Sequence, residues 1–122
     1  MVKSVIKVPI YDREIEVIIY DKQEEAEKFL GERGIEFKIG HYSGAALMNN
    51  ETQEQVLMLD STIEGFPDRG IIAHEAKHLV NDLFVCINYK LDMHNDEPEA
   101  YLLGYLVNEI HKIIDKHCKW IF

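Results

Sequence analysis

The stretch from Ile71 to Phe84, "IIAHEAKHLVNDLF", decides how this chain is read. Its apolar positions recur every three or four residues with no glycine or proline between them, the pattern of a helix bound for a core. His74 and His78 stand one turn apart on it, and Glu75 follows the first. Residues four apart on a helix lie about 40° apart around its axis, so both imidazoles project to one side. Two ring nitrogens from successive turns can then meet one ion at about 2.0–2.1 Å each. Glu75 lies about 100° further round, where it can reach a water beside such an ion without ligating it, which suits a general base. The run His74-Glu75-Ala76-Lys77-His78 is thus an HExxH sequence. Chance also produces so short a motif, and the plain alternative is a helix whose histidines are solvated or bonded to backbone.

A zinc centre of this kind needs a third donor. In "DEPEAYLLGYLVNEIHKI", Asp96 to Ile113, one helical stripe holds Glu99, Leu102, Leu103, Leu106, Ile110 and Ile113. Every member but the first is a large apolar residue. A carboxylate in line with that stripe points inward, and a buried charge is costly unless paired or bound to metal. Glu99 is therefore the expected third ligand. Asp96 and Glu99 also fit a capping box, in which Glu99 would reach back to the Asp96 amide. Glu97 precedes a proline and is expected to lie outside the helix, which makes it the weaker candidate.

Working outward, the first long helix is expected from about Arg69 to about Asn88 and the second from about Pro98 to His117, with "YKLDMHNDE" as the loop between them. Upstream, "SVIKVPI" and "REIEVIIY" read as a hairpin of β-branched strands. A short helix follows in "KQEEAEKFLGERG", capped by Asp21 and stopped by Gly31 and Gly34. "IEFKIG", "YSGAALM" and "EQVLMLD" read as three further strands, the last two joined by the turn-rich "NNETQ", and "STIEGFPDRG" is a loop. This order predicts one α+β domain over residues 1–122: a small mixed or antiparallel sheet, one short N-terminal helix, the HExxH helix and a C-terminal helix, with helices on one sheet face.

At 122 residues the chain can bury a core without staples. Its apolar share of 47% is that of a globular protein. A formal net charge of −9 with no basic patch excludes a nucleic-acid backbone as the expected partner. Cys86 and Cys118 are expected as free thiols in a reducing compartment. The first residues read as a strand rather than a leader, and no apolar run approaches the length of about 20 residues that crosses a bilayer. The expectation is a cytoplasmic protein without membrane partners.

On the HExxH residues, on the twenty residues that separate His78 from Glu99, and on the Glu99-Ala100 pair, the chain resembles the gluzincins, the thermolysin-like group of zinc metallopeptidases. Its size is similar to that of the single-domain minigluzincins and of small phage metallopeptidases. The resemblance covers roughly residues 35 to 117 and implies a zincin-like fold, zinc as cofactor, and a peptide or protein as substrate. It implies His74, His78 and Glu99 as zinc ligands and Glu75 as general base and acid. It also implies that Gly44, Ala45, Ala46 and Leu47 line a substrate-binding edge strand, where an extended peptide adds by backbone hydrogen bonds. From sequence alone a plain interior strand reads almost as well there. Two departures bear on turnover. Leu103 stands where the group often has an aspartate that orients a histidine, and the oxyanion-stabilising histidine and tyrosine of larger members come from a further domain.

Within these residues Tyr89, His94, Tyr101 and Tyr105 are the candidate oxyanion donors, the alternative being packing for Tyr101 and Tyr105 and a solvated loop position for His94. Asp82 is either a partner that orients a ligand imidazole or a solvated surface aspartate. The tail "KHCKWIF", ending in Trp120, Ile121 and Phe122, is expected to pack against the sheet or to lie in the cleft and block it. Three functions stand open. The first is a zinc peptidase; the second is a zinc-binding but inactive interaction or regulatory module of the same fold. The third is an acidic partner-binding protein whose histidines are incidental.

Overall fold

Two runs in the sequence, "VIIY" and "VLMLD", are apolar almost without alternation, and such strands are covered on both faces. The computed structural model describes residues 1–40 and 42–117, and in it Val17–Tyr20 and Val56–Leu59 are buried throughout. Its elements are β1 (Val2–Val8), β2 (Arg13–Tyr20), α1 (Gln23–Glu32), β3 (Gly44–Met48), β4 (Gln55–Asp60), α2 (Arg69–Cys86) and α3 (Glu97–His117). The strands form one sheet in the order β1-β2-β4-β3. β1 and β2 are the expected hairpin, with Val2 opposite Ile19 and Val8 opposite Arg13. β3 and β4 are likewise antiparallel, while β2 and β4 run parallel, with Ile15 opposite Gln55. The sheet is therefore mixed, with β1 and β3 at its edges and the two apolar runs at its centre.

Because β2 and β4 are buried on both faces, helices lie on both. Ala26, Phe29 and Leu30 of α1 pack on Ile18, Tyr20, Val56 and Met58. On the opposite face, Leu79, Leu83 and Phe84 of α2 and Leu106 and Ile110 of α3 close over Ile15, Val17 and Leu57. The α+β class is as expected, but the helices do not share one face: α1 has the other to itself.

Residues 35–40, expected as a strand, form none. Ile35 and Ile39 are buried and Phe37 is half-buried, so the apolar alternation is real. It anchors the segment in the core cluster of Phe29 and Leu30 and not at an edge of the sheet. The cap of α1 also differs. Lys22, not Asp21, is its N-cap, and no side chain bonds the free amides there. Gly31 does not stop the helix; Gly34 does, at φ 70°, where its amide and that of Ile35 bond back to Gly31 and Leu30. α2 ends two residues early, since Asn88 takes the left-handed turn at φ 63°.

Leu79 is fully buried where α2 meets the sheet. Leu79→Ala is expected to lower stability by about 2–5 kcal/mol, through lost burial and the cavity left behind. Urea unfolding checks this: the midpoint falls while the slope stays constant. A midpoint that does not move would contradict the packing.

Candidate metal centre

Asp68 sets the start of α2, its side chain accepting a hydrogen bond from the Ile71 amide at 3.1 Å. The helical repeat then divides the helix. Ile72, Ala76, Leu79 and Leu83 face the core, His74 and His78 face solvent, and Glu75 lies on the seam between them. Glu75 is only 9% exposed, whereas the His74 side chain is 68% exposed.

The two imidazoles converge. Their Nε2 atoms are 3.2 Å apart and the rings meet edge to face. Two nitrogens bound to one tetrahedral ion at about 2.0–2.1 Å each lie about 3.3–3.4 Å apart, so this spacing suits a shared cation. An N–H···N hydrogen bond between the rings accounts for the same distance. The ligand atoms of His74, Glu75 and His78 lie within 4.8 Å of one another, the one such group among the described residues. Imidazole nitrogen beside carboxylate oxygen is a donor set that fits zinc.

Glu75 is held by the sheet. Its Oε1 accepts the Ala46 amide at 3.0 Å, and its Oε2 is 3.7 Å from His74 Nε2. That contact requires α2 to run close along β3, and Gly44 allows it. A Cβ on Gly44 would come within 3.1 Å of Ile71, 3.3 Å of Leu59 and 3.4 Å of Glu75. Ala45 is buried, and Ala46 packs against the α2 side of the core. The small side chains of Gly44 and Ala46 thus serve helix packing. What β3 offers at the sheet edge is backbone. The hydrogen bonds Asn49 N–H to Glu54 O and Asp60 N–H to Ser43 O set the ladder's phase. By alternation, the polar groups of Gly44, Ala46 and Met48 point away from β4.

An open groove of about 360 Å³ runs between this edge and the imidazoles, bordered by Phe37, Tyr42, Leu47, His74, His78 and Asp82. A second hollow continues it past Tyr42 and Gly44 towards Asp68 and Gly70. Tyr42, not anticipated from sequence, borders both hollows and rests against Phe37 with ring centroids 5.4 Å apart. Its place two residues ahead of the edge strand is the one signal that could have marked it.

Glu99 stands apart from the histidine group. Its carboxylate forms an ion pair with the Lys77 ammonium, which also donates to Asn81 at 2.7 Å. It does not reach back to the Asp96 amide, so the capping-box geometry is not formed either. Asp96 caps through its carbonyl, which accepts the Ala100 amide. Glu97, expected outside the helix, is its first residue.

The four expected oxyanion donors lie away from the groove lining. Tyr105 donates to the Lys7 carbonyl at 2.6 Å, Tyr89 packs on Phe84, and Tyr101 borders a separate apolar groove with Ile10. His94 is exposed in the α2–α3 loop. Trp120, Ile121 and Phe122 lie outside the described residues, as does Cys118. Among the described residues no helix is long and apolar enough to cross a membrane.

Compared with known proteins, the chain matches no family model, no curated protein and no solved structure.

Asp82 borders the groove one turn beyond His78, and burial pushes its carboxyl above the usual range while nearby His78 pulls it down. A carboxyl raised in the folded state favours folding while protonated, and that contribution is lost as pH rises through the folded value. Asp82→Asn is therefore expected to be more stable than the parent at about pH 7, and to lose that advantage by about pH 3, where Asp82 is protonated in both states. Paired urea midpoints at the two pH values check this. A gain unchanged at the acid end would rule out charge as its source.

Proposed function

We propose that this protein is a zinc-dependent peptidase of zincin-like fold, acting on extended peptide segments. The observation that carries the reading is the pair of Nε2 atoms at 3.2 Å over an open groove, with the buried Glu75 carboxylate beside them. His74 and His78 would hold the ion, and Glu99 is the further ligand that the sequence suggests. Zinc, when bound, supplies a Lewis acid that lowers the pKa of its water to about 7 and polarises a carbonyl.

The chain's own residues supply the rest. Glu75 takes a proton from the attacking water and returns it to the leaving amine. Its hydrogen bond to Ala46 fixes one oxygen and leaves the other turned to His74, the orientation such a shuttle needs. With the Ala46 amide engaged by Glu75, the outward Ala46 carbonyl and the outward backbone of Gly44 and Met48 offer an extended peptide an added strand, with Ala45 and Leu47 between these positions. Tyr42 and Phe37 give the groove an aromatic wall for an apolar side chain.

A second reading has one specific observation in its favour. Glu99 is engaged by Lys77, which leaves two imidazoles and Glu75 as the converging donors. That set suits a zinc-binding interaction module without turnover. Two substitutions separate the readings. His78→Ala should abolish zinc binding of about one equivalent per chain, measured on protein purified without added metal. Glu75→Gln should retain zinc and lower peptide cleavage by about 100- to 10,000-fold. Parent protein that holds zinc but cleaves nothing in a broad peptide library would favour the module, and parent protein that folds without metal affinity would exclude both.

A further inference from the structure

We propose that Lys77 competes with the metal for the third carboxylate: its ion pair with Glu99 keeps that side chain away from the imidazole pair and so sets the affinity of the centre for a divalent cation. The inference rests on the metal reading of His74 and His78 and assigns a role to a residue inside the motif that the chemistry itself does not use.

Lys77 directly precedes His78, yet its side chain leaves α2 towards α3 instead of the groove. The ammonium is anchored twice, by Glu99 Oε1 from α3 and by Asn81 Oδ1 one turn along α2. The Glu99 side chain is 21% exposed and Lys77 39%, so the pair is partly shielded from water. Among the described residues Glu99 has no other partner, and its oxygens are not among the ligand atoms that converge with the two imidazoles. A cation arriving at His74 and His78 therefore meets two imidazoles and Glu75 first. Recruiting Glu99 means taking the carboxylate from an ammonium that holds it. The ammonium and the metal are then rivals for one ligand, and whatever weakens the first strengthens the second.

The test uses the metal-free full chain, with zinc titrated in competition with a chromogenic chelator. Lys77→Met keeps most of the apolar stem and removes the charge. It is expected to bind zinc about tenfold more tightly than the parent, the scale of outer-shell effects on metal affinity. Lys77→Arg restores a cation opposite Glu99 and should bind like the parent. In a Glu99→Gln background, Lys77→Met should bring no gain, because the contested carboxylate is gone. Should methionine impair folding, judged by far-ultraviolet circular dichroism without zinc, Lys77→Gln serves as the neutral variant. Zinc affinity that is unchanged or weaker on removing the charge, or a gain that survives in Glu99→Gln, overturns the proposal while leaving the two-histidine site intact. Absence of zinc binding in the parent and in every variant overturns the metal reading together with it.

Discussion

A carboxylate that is 9% exposed must find hydrogen-bond donors inside the protein, and Glu75 finds one on the only kind of strand that has amides to spare. Interior strands spend their N–H groups on two neighbours; an edge strand keeps alternate ones. The Ala46 amide is such a group, and Glu75 takes it at 3.0 Å. Much of the local architecture follows from that bond. α2 must run along β3 closely enough to make it, so a side chain at position 44 would crowd Ile71, Leu59 and Glu75. With Glu75 turned to the sheet edge, the helical repeat sends His74 and His78 outwards over the groove. The orientation of the imidazoles is thus set by the burial of the acid beside them.

The remainder of the fold holds α2 to that line. The central strands carry a continuous apolar surface on each face, and α1 takes one so that α2 and α3 share the other. Two polar contacts reinforce the second half of α2. Gln55, at the start of β4, donates to the Leu79 carbonyl at 3.0 Å, and Arg13 reaches the Cys86 sulfur at 3.3 Å. Tyr105 ties α3 to the end of β1 through the Lys7 carbonyl. Each of these joins a helix to a strand, so the helix bearing the histidines is fixed at its beginning by Asp68, along its length by the core and in its second half by β2 and β4.

Patterns of period 2 and 3.6 were legible in the sequence wherever a residue's neighbours in space are dictated by its own element. Both hairpins, all three helices and the facing of His74, Glu75 and His78 are of that kind. What could not be read depends on partners distant in the chain. The alternation in residues 35–40 signals burial truly, but its apolar side chains are taken up in the core between α1 and the sheet face, and alternation alone does not distinguish that from pairing at a sheet edge. That α1 lies opposite the other helices was implicit in the unbroken apolar runs of β2 and β4, a signal of two-sided burial that the simple order of elements overrides. Asp21 was a sound cap by residue type, yet the chain turns into the helix one residue later. Tyr42 carries no periodic signature, since it sits in a loop whose path only the assembled groove explains.

Glu99 shows the same limit in sharper form. An acid in an apolar stripe declares that a positive charge lies nearby without saying which one. Sequence reasoning supplied a metal ion or a helix-start amide; the structure supplies Lys77, from the helix that also presents the imidazoles. Lys77 directly precedes His78 in the chain, yet its ammonium is spent on the carboxylate that a cation held by the histidines would need. An ammonium and a carboxylate about 4 Å apart attract by about 4 kcal/mol at an effective dielectric constant of 20, and partial exposure reduces this. Even a fraction of that attraction, which a metal must overcome to recruit Glu99, is comparable to a factor of ten in affinity. The lysine inside the HExxH run thus bears on how tightly any divalent ion could be held there, although it touches neither imidazole.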